Sequence, residues 1–259
     1  MNVNKLQEGL KTKLFGKRII FLHKTGSTND FAKELATHGA AEGTVVIADE
    51  QTAGRGRLGR NWFSPKGGLY LSTILKPKLK ASEAIKLVYV AGLAVAEALH
   101  ELYGLKTETK WPNDVLVHGK KICGILTEMS TSGEKVNFAV LGIGINANIS
   151  LNAFPKELQT HVTSLKNELD GKIVLEELFR MVLEKLEENY ALFLREGFVS
   201  ILEKWKSYAS FLGKNVEVTE ATQKLRGLAL DVDHEGALVI RLENGTVKRI
   251  FSGDVTLRF

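Results

Sequence analysis

The sequence predicts an α+β protein, with a mixed sheet packed by helices and then a small all-β tail of barrel size. Three observations predict it. Runs of strand length and runs of helical periodicity alternate over the first two thirds, strands near the middle are joined by turns too tight for parallel crossovers, and beyond Gly213 only strand patterns remain. At 259 residues the chain has room for one large domain and a small one, and a boundary near Leu212 divides it into residues 1–211 and 212–259.

Ser27-Thr28-Asn29-Asp30 opens a helical segment that runs through Leu35 and stops near Gly39, with Ser27 at the N-cap and Asp30 placed as in a capping box. Thr44 to Ala48 is a β-branched run and reads as a buried strand. From Gln51 to Gly68 glycine and arginine displace apolar residues, and strand alternation resumes at Leu69, Leu71 and Thr73. The stretch between is a long loop of the kind that is functional or disordered. Ser82 to Tyr103 is helical, with Ile85, Val88, Tyr89, Val95, Leu99 and Leu102 on one face and Gly104 as its stop. Thr107 to Trp111, Val115 to Val117, Ile122 to Met129 and Val136 to Ile145 are short strands whose tight turns imply antiparallel hairpins. A second helical block covers Leu175 to Leu194 and continues to Trp205. The tail strands are Val216 to Val218, Leu225 to Val232, Ala237 to Arg241, Thr246 to Ile250 and Val255 to Leu257.

Composition excludes more than it selects. A hydrophobic fraction of 44% and a charged fraction of 25% are those of a folded soluble protein, so disordered and fibrous classes drop out. The net charge of +5 suits a nucleotide, a nucleic acid or an acidic protein without choosing among them. A single cysteine, Cys123, excludes an internal disulfide framework and a cysteine-rich metal site, which makes the cytoplasm the expected compartment. Lys and Arg are scattered through Met1 to Lys24, unlike a signal peptide, and Lys86, Glu97 and His100 interrupt the most apolar long segment, so no membrane association is expected.

Four segments carry chemistry. Gly54-Arg55-Gly56-Arg57-Leu58-Gly59-Arg60-Asn61-Trp62 satisfies a G-x-G-x-x-G pattern, but no helix can start cleanly in the Pro65-containing segment after it, so a dinucleotide fold is not implied. The loop offers three guanidiniums for phosphate or carboxylate oxygens and an indole that can cover a purine; a solvated basic loop is the bland alternative. Lys110-Trp111-Pro112-Asn113-Asp114 gathers a lysine, an amide and a carboxylate at a strand end, and reads equally as a β-turn with Trp111 in the core. In Gly119-Lys120-Lys121-Ile122-Cys123-Gly124-Ile125-Leu126-Thr127-Glu128, Lys121 starts a strand and Gly124 permits close approach to it; the bland alternative makes Lys120 and Lys121 exposed turn charges, and Cys123 reads as a small buried hydrophobe. Gly142-Ile143-Gly144-Ile145-Asn146 leaves one strand face bare, to be filled by a flat ligand or by tight packing against a helix.

Together with Thr25-Gly26-Ser27-Thr28-Asn29, and in this order, these segments resemble the biotin protein ligases, as does the closing Ser252-Gly253-Asp254-Val255-Thr256-Leu257-Arg258. The resemblance covers essentially the whole chain. It implies a mixed-sheet catalytic domain with a C-terminal SH3-like barrel, and a two-step reaction: biotin and ATP give biotinyl-5′-AMP, whose acyl group passes to a lysine of a biotin carboxyl carrier protein. ATP, biotin and Mg²⁺ are the implied small molecules. On the same footing Ser27, Thr28, Asn29 and Gln51 contact biotin, and Gly54, Arg55, Gly56 and Arg57 close over biotin and adenylate, with Arg57 retaining the intermediate. Arg60 belongs to the same phosphate-facing loop, and Trp62 covers the adenine. Lys121 binds the biotin carboxylate and the α-phosphate. Asn113 and Asp114 lie on the nucleotide and acceptor-lysine side, with Asp114 also a candidate metal ligand. Gly124, Leu126, Gly142 and Gly144 line the biotin pocket, and Asn146 stands at its adenine end.

This chain departs from many members at Leu58, where they have a basic residue. Its biotin segment begins by Thr25, which leaves too little chain for the N-terminal DNA-binding domain of bifunctional members, so the resemblance implies a monofunctional form with no DNA partner. Exposed strand edges are compatible with a homodimer. Two rivals remain: a lipoate protein ligase, expected to lack the Gly-Arg-Gly-Arg loop, and a basic nucleic-acid-binding protein, disfavoured by the few aromatics in the tail.

Overall fold

The first half of the chain folds as strand, helix, strand and then a run of antiparallel strands. In the computed structural model, which describes residues 1, 3–220 and 223–257, α1 (Val3–Gln7) precedes β1 (Ile19–Leu22), α2 (Thr28–Thr37) and β2 (Val45–Ala48). β1 and β2 pair in parallel, as a helical crossover requires, and β3 (Leu69–Leu75) returns antiparallel to β2. After α3 (Ala81–Ala84) and α4 (Leu87–Tyr103) come β4 (Thr107–Lys110), β5 (Asp114–Val117), β6 (Lys120–Ser132) and β7 (Lys135–Ile145). β7 enters between β3 and β6, giving a seven-stranded mixed sheet in the order β1-β2-β3-β7-β6-β5-β4. Gly104 ends α4 at φ 65°, and the β5–β6 turn uses positive φ at both His118 and Gly119, the geometry that suits a two-residue hairpin.

Both faces of the sheet are covered. α2 packs Ala32 and Ala36 against Val46, Ile74 and Val140. The alternate residues Val45, Ile47 and Leu141 join a larger core with α4, α6 (Leu175–Glu196) and α7 (Phe198–Ser207), which follow the short α5 (Leu165–Leu169). This explains why all of β3 is buried where the sequence suggested alternation. Cys123 is buried and unpaired, as expected, and burial pushes its thiol pKa up. Among the described residues no helix is long and apolar enough to cross a membrane.

The tail forms an antiparallel five-stranded sheet of β8 (Asn215–Glu220), β9 (Gln223–Val232), β10 (Leu238–Leu242), β11 (Val247–Ile250) and β12 (Asp254–Leu257), in the order β11-β10-β9-β8-β12. Among the described residues the two outer strands are not paired with each other, so the sheet is left open as a hydrogen-bonded ladder. The Gly236 carbonyl fastens this sheet to the first, accepting from Tyr89 Oη at 2.7 Å and Trp111 Nε1 at 3.1 Å. Arg258, the last residue of the closing motif, lies outside the described residues.

Two local expectations need correction. The helix expected over Ser82 to Tyr103 is interrupted by a turn at Ile85 and Lys86, and Ile85 is 58% exposed instead of on the buried face. There Lys86 takes the inner position, pairing with Glu83 at 2.8 Å and lying 5.1 Å from the Phe198 ring centroid. Ser27 does occupy the N-cap of α2, but its side chain makes no capping bond. Gln51 Oε1 supplies the acceptor, taking the Thr28 N–H at 2.8 Å, which leaves the Ser27 hydroxyl free to face the cavity.

Candidate functional site

The site is built on a floor of bare backbone. Gly124 of β6 lies opposite Gly144 of β7, and Gly142 lies between Leu126 on one side and Ser72 of β3 on the other. Residues opposite one another in a ladder share a face, so these positions form one smooth patch. A side chain at Gly142 would collide with Asn29 Oδ1, and one at Gly144 with Trp62 Nε1. Neither alternative weighed for the glycine strand is quite what the structure holds. An amide from the α2 N-terminus and the indole of the arginine loop cover that face, with a cavity of about 260 Å³ beside them.

A bulge places the central lysine. Between Asp114↔Gly124 and Leu116↔Lys121, β6 carries one residue more than β5. Lys121 therefore shares the face of Asp114 and Gly124, whereas regular alternation would have turned it to the helix side. Its Nζ lies 2.6 Å from Asp114 Oδ1 and 5.1 Å from the Trp62 ring centroid. Backbone bonds fix the strand end from outside: Lys121 N donates to His161 O and Lys121 O accepts from Thr163 N, both at 2.9 Å. The segment so attached brings Phe154, Leu158 and Val162, with Phe63, over the cavity as an apolar wall.

At one end the cavity is lined by neutral polar groups. Thr28 Oγ1 donates to Gln51 Oε1 at 3.0 Å, and Gln51 Nε2 donates to Ser64 Oγ at 3.0 Å. Ser72 Oγ lies 2.8 Å from Thr28 Oγ1 and 2.6 Å from Asn29 Oδ1. Ser27, Thr28, Asn29 and Ser72 are all buried, so this network is preorganised before any ligand arrives.

The other end is cationic. The Gly54–Trp62 loop is ordered as a small hairpin, with Trp62 N bonded to Gly54 O at 2.9 Å, Gly56 N to Arg60 O at 2.7 Å, and the exposed Leu58 at its tip. Arg55 is clamped by Asp30 at 2.5 and 2.6 Å and by Glu128 at 3.1 Å. Arg60 pairs with Asp254 at 2.5 Å. Arg57 is different. It is the most enclosed of the three, and its recorded partners are two neutral oxygens, Asn113 Oδ1 at 3.5 Å and Gly253 O at 3.3 Å. Burial lowers its pKa against the more distant pull of Asp254 and Asp114, and burial likewise lowers that of nearby Lys110. Beyond these cations, Asn146 is 1% exposed and bonds Thr163 O at 3.0 Å through Nδ2, while its Oδ1 has no partner.

Residues 21–146 match the profile of the biotin/lipoate A/B protein ligase family, and residues 211–258 that of the biotin protein ligase C-terminal domain. A bifunctional ligase/repressor of Bacillus subtilis is 38% identical over 99% of this chain and 79% of its own length. The chain belongs to the biotin/lipoate A/B protein ligase family. Similar to it within that family are the biotin acetyl-CoA-carboxylase ligase of Paracoccus denitrificans, 35% identical over 85% of this chain and 92% of its own, and the Aquifex aeolicus biotin protein ligase in complex with biotin and ATP. The latter superposes with a TM-score of 0.80 at 34% identity, covering 93% of this chain and 99% of that one.

In this ligase-family cavity the residues singled out from sequence come together. Ser27, Thr28, Asn29, Gln51, Arg55, Gly56, Arg57, Arg60, Trp62, Asn113, Asp114, Lys121, Gly124, Leu126, Gly142, Gly144 and Asn146 all line it. Gly54 stands just behind, where a side chain would strike the Trp62 carbonyl and Ser64 Oγ. Sequence reasoning missed Ser72, Glu128 and Asp254, each a polar residue within or beginning a strand. Asp254 stood in the closing motif and Glu128 at the end of the Gly119 segment, while Ser72 stood in none.

Proposed function

We propose that the cavity binds biotin with its ring at the Ser27, Thr28, Asn29 and Gln51 end and ATP at the Arg57, Lys121 and Asn146 end. On this reading it forms biotinyl-5′-AMP and passes biotin to a lysine of a biotin carboxyl carrier domain. Residues 1–211 bind the substrates, residues 212–259 form the C-terminal module, and the reaction takes place in the cytoplasm. The observation that carries the assignment is Arg57: a half-buried guanidinium with only neutral oxygens as hydrogen-bond partners is a site for an anion. The names of the relatives, which include proteins bound to biotin and ATP and to biotinyl-5′-AMP, support the choice of anion.

In the first step a biotin carboxylate oxygen attacks the α-phosphorus, and the bond to the bridging oxygen breaks, so that pyrophosphate leaves with the electron pair. Two anions must approach, and Lys121, placed by the bulge at the cavity floor, offsets their repulsion and the charge that builds on phosphorus. Arg57 and Arg60 hold phosphate oxygens, exchanging the Gly253 carbonyl and Asp254 for stronger partners. Trp62 covers the adenine, and the orphan Asn146 Oδ1 is an acceptor suited to an amino group. Asp114 Oδ1 is ion-paired with Lys121 Nζ at 2.6 Å, and once Lys121 turns to the phosphate this carboxylate is the residue that would hold a magnesium ion carried in by the nucleotide. Mg²⁺ there would supply further neutralisation of phosphate charge.

In the second step the neutral ε-amine of the carrier lysine attacks the acyl carbon, AMP leaves, and the amine loses a proton. Asn113 and Asp114 orient the amine. The Gly54–Trp62 loop, backed by the Phe63 and Phe154 wall, keeps water from the mixed anhydride until then. Exchange of labelled pyrophosphate into ATP, run with biotin, with lipoate and with neither, tests the reading. Biotin-dependent exchange is expected; exchange with lipoate alone would overturn it.

A further inference from the structure

Glu128 does not line the cavity, yet two segments that do, the first turns of α2 and the Gly54–Trp62 loop, meet on its carboxylate. It stands two residues beyond Leu126 on β6, on the same face, and binds Asn29 and Arg55 of the cavity wall from behind. Oε2 accepts from Asn29 Nδ2 at 2.8 Å and from Arg55 Nη2 at 3.1 Å. Oε1 accepts from Lys33 Nζ at 2.7 Å and again from Arg55 Nη2 at 3.1 Å. Two carboxylates, Asp30 and Glu128, thereby balance two cations, Lys33 and Arg55.

An ionised carboxylate has only acceptors to offer, so it decides which way a neighbouring amide faces. Asn29 turns Nδ2 to Glu128 and to the Leu126 carbonyl, at 3.3 Å. Its Oδ1 is left toward Ser72 and the bare face of Gly142. The same carboxylate holds Arg55, the residue that follows Gly54 into the nucleotide loop. The structure assigns Glu128 as a positioning residue that couples the amide orientation of Asn29 at the ring end to the anchoring of the loop through Arg55. This rests on the proposed contact between Asn29 and biotin.

The test separates the two arms. Glu128→Gln keeps one carbonyl oxygen for Asn29 but turns an amino group toward Lys33 and Arg55. It should leave the biotin KM within about twofold and speed release of biotinyl-AMP about tenfold, whereas Glu128→Ala should raise KM about fivefold and speed release as well. In the double variant with Arg55→Ala, Glu128→Gln should add nothing to the release rate. Equal changes of KM and release in the Gln and Ala variants, or additivity in the double variant, would overturn the assignment. Should thermal denaturation show Glu128→Ala unfolded, the Gln variant and the double variant decide alone. Asn29→Ala keeps the two claims apart: an unchanged biotin KM there defeats the contact with biotin, while a raised KM beside unaffected Glu128 variants defeats only the role of Glu128.

Discussion

The two ends of the cavity are held in opposite ways. At the ring end Thr28, Gln51, Ser64, Ser72 and Asn29 are neutral and bonded to one another at 2.6 to 3.0 Å. At the phosphate end Arg57 has only neutral oxygens as recorded partners, Lys121 leans on Asp114, and Arg60 reaches across to Asp254 of the tail. A closed neutral network needs little rearrangement to receive a ligand and discriminates by shape and hydrogen bonding. Charges held by provisional partners exchange them for phosphate and act on the reaction itself. The first end should therefore govern KM and the second kcat.

The sharpest way to break that division is Lys121→Ala. Adenylate formation, followed by biotin-dependent pyrophosphate exchange, should fall about a thousandfold at saturating biotin, as for loss of a main electrostatic stabiliser. A fall confined to KM would abolish the contrast. Next is Arg57→Gly, which removes the half-buried guanidinium and its tether to Gly253. Biotinyl-AMP should escape on the order of ten to a hundred times faster and label bystander lysines, and unchanged selectivity would deny Arg57 its part. Smaller is Ser72→Ala at the neutral end: the biotin KM should rise about fivefold with kcat unaltered, the cost of about one hydrogen bond. A matching loss in kcat would show that the two ends are not separable.

The smallest effect is one of pH, at the clamp between the ends. Asp30 is held below the usual carboxylate range by the Arg55 bond, and Glu128, whose burial works the other way, by bonds from Lys33 and Asn29. For carboxyls depressed in the folded state, the stabilisation is complete above their ordinary pKa and is lost as the pH falls through the depressed one. Lys33 is raised despite its burial, by the bonds it donates to Glu128 and Asp30, so it stays charged through alkaline pH. Adenylate release should thus be flat from about pH 6 to 9 and quicken only below about pH 4. A step near neutrality would mean that other groups hold the loop.

What could be read from sequence depended on contiguity. The Gly54–Trp62 loop, Ser27 to Asn29 and the paired glycines are runs in which neighbours in sequence are neighbours in space, and they converge on the cavity. Ser72 is a single hydroxyl in an otherwise strand-like run, and Glu128 the last polar residue of a motif whose interest lay at Lys121. Each gains meaning only from partners that the sheet register delivers from far along the chain, Asn29 in both cases. Gln51 as the cap of α2 was hidden for the same reason, since a local capping residue, Ser27, was already in place. The exposed Ile85 shows the limit of periodicity on a helix such as α4, which is buried on most sides and has no single apolar stripe to extend.

The bulge before Gly124 makes the chemistry depend on how many residues lie between the hairpin turn and the glycine, as well as on which they are. Loss of a single residue there, Ile122 for example, would leave Lys121 two residues before Gly124, where regular alternation holds it on the cavity face without a bulge but closer along the strand to the glycine. Loss of the bulge with every residue kept would instead turn Lys121 into the hydrocarbon beneath the sheet. For this strand, the side of the sheet that the lysine takes is set by spacing and bulge together, and a slip of pairing register there should be as damaging as replacing the lysine outright.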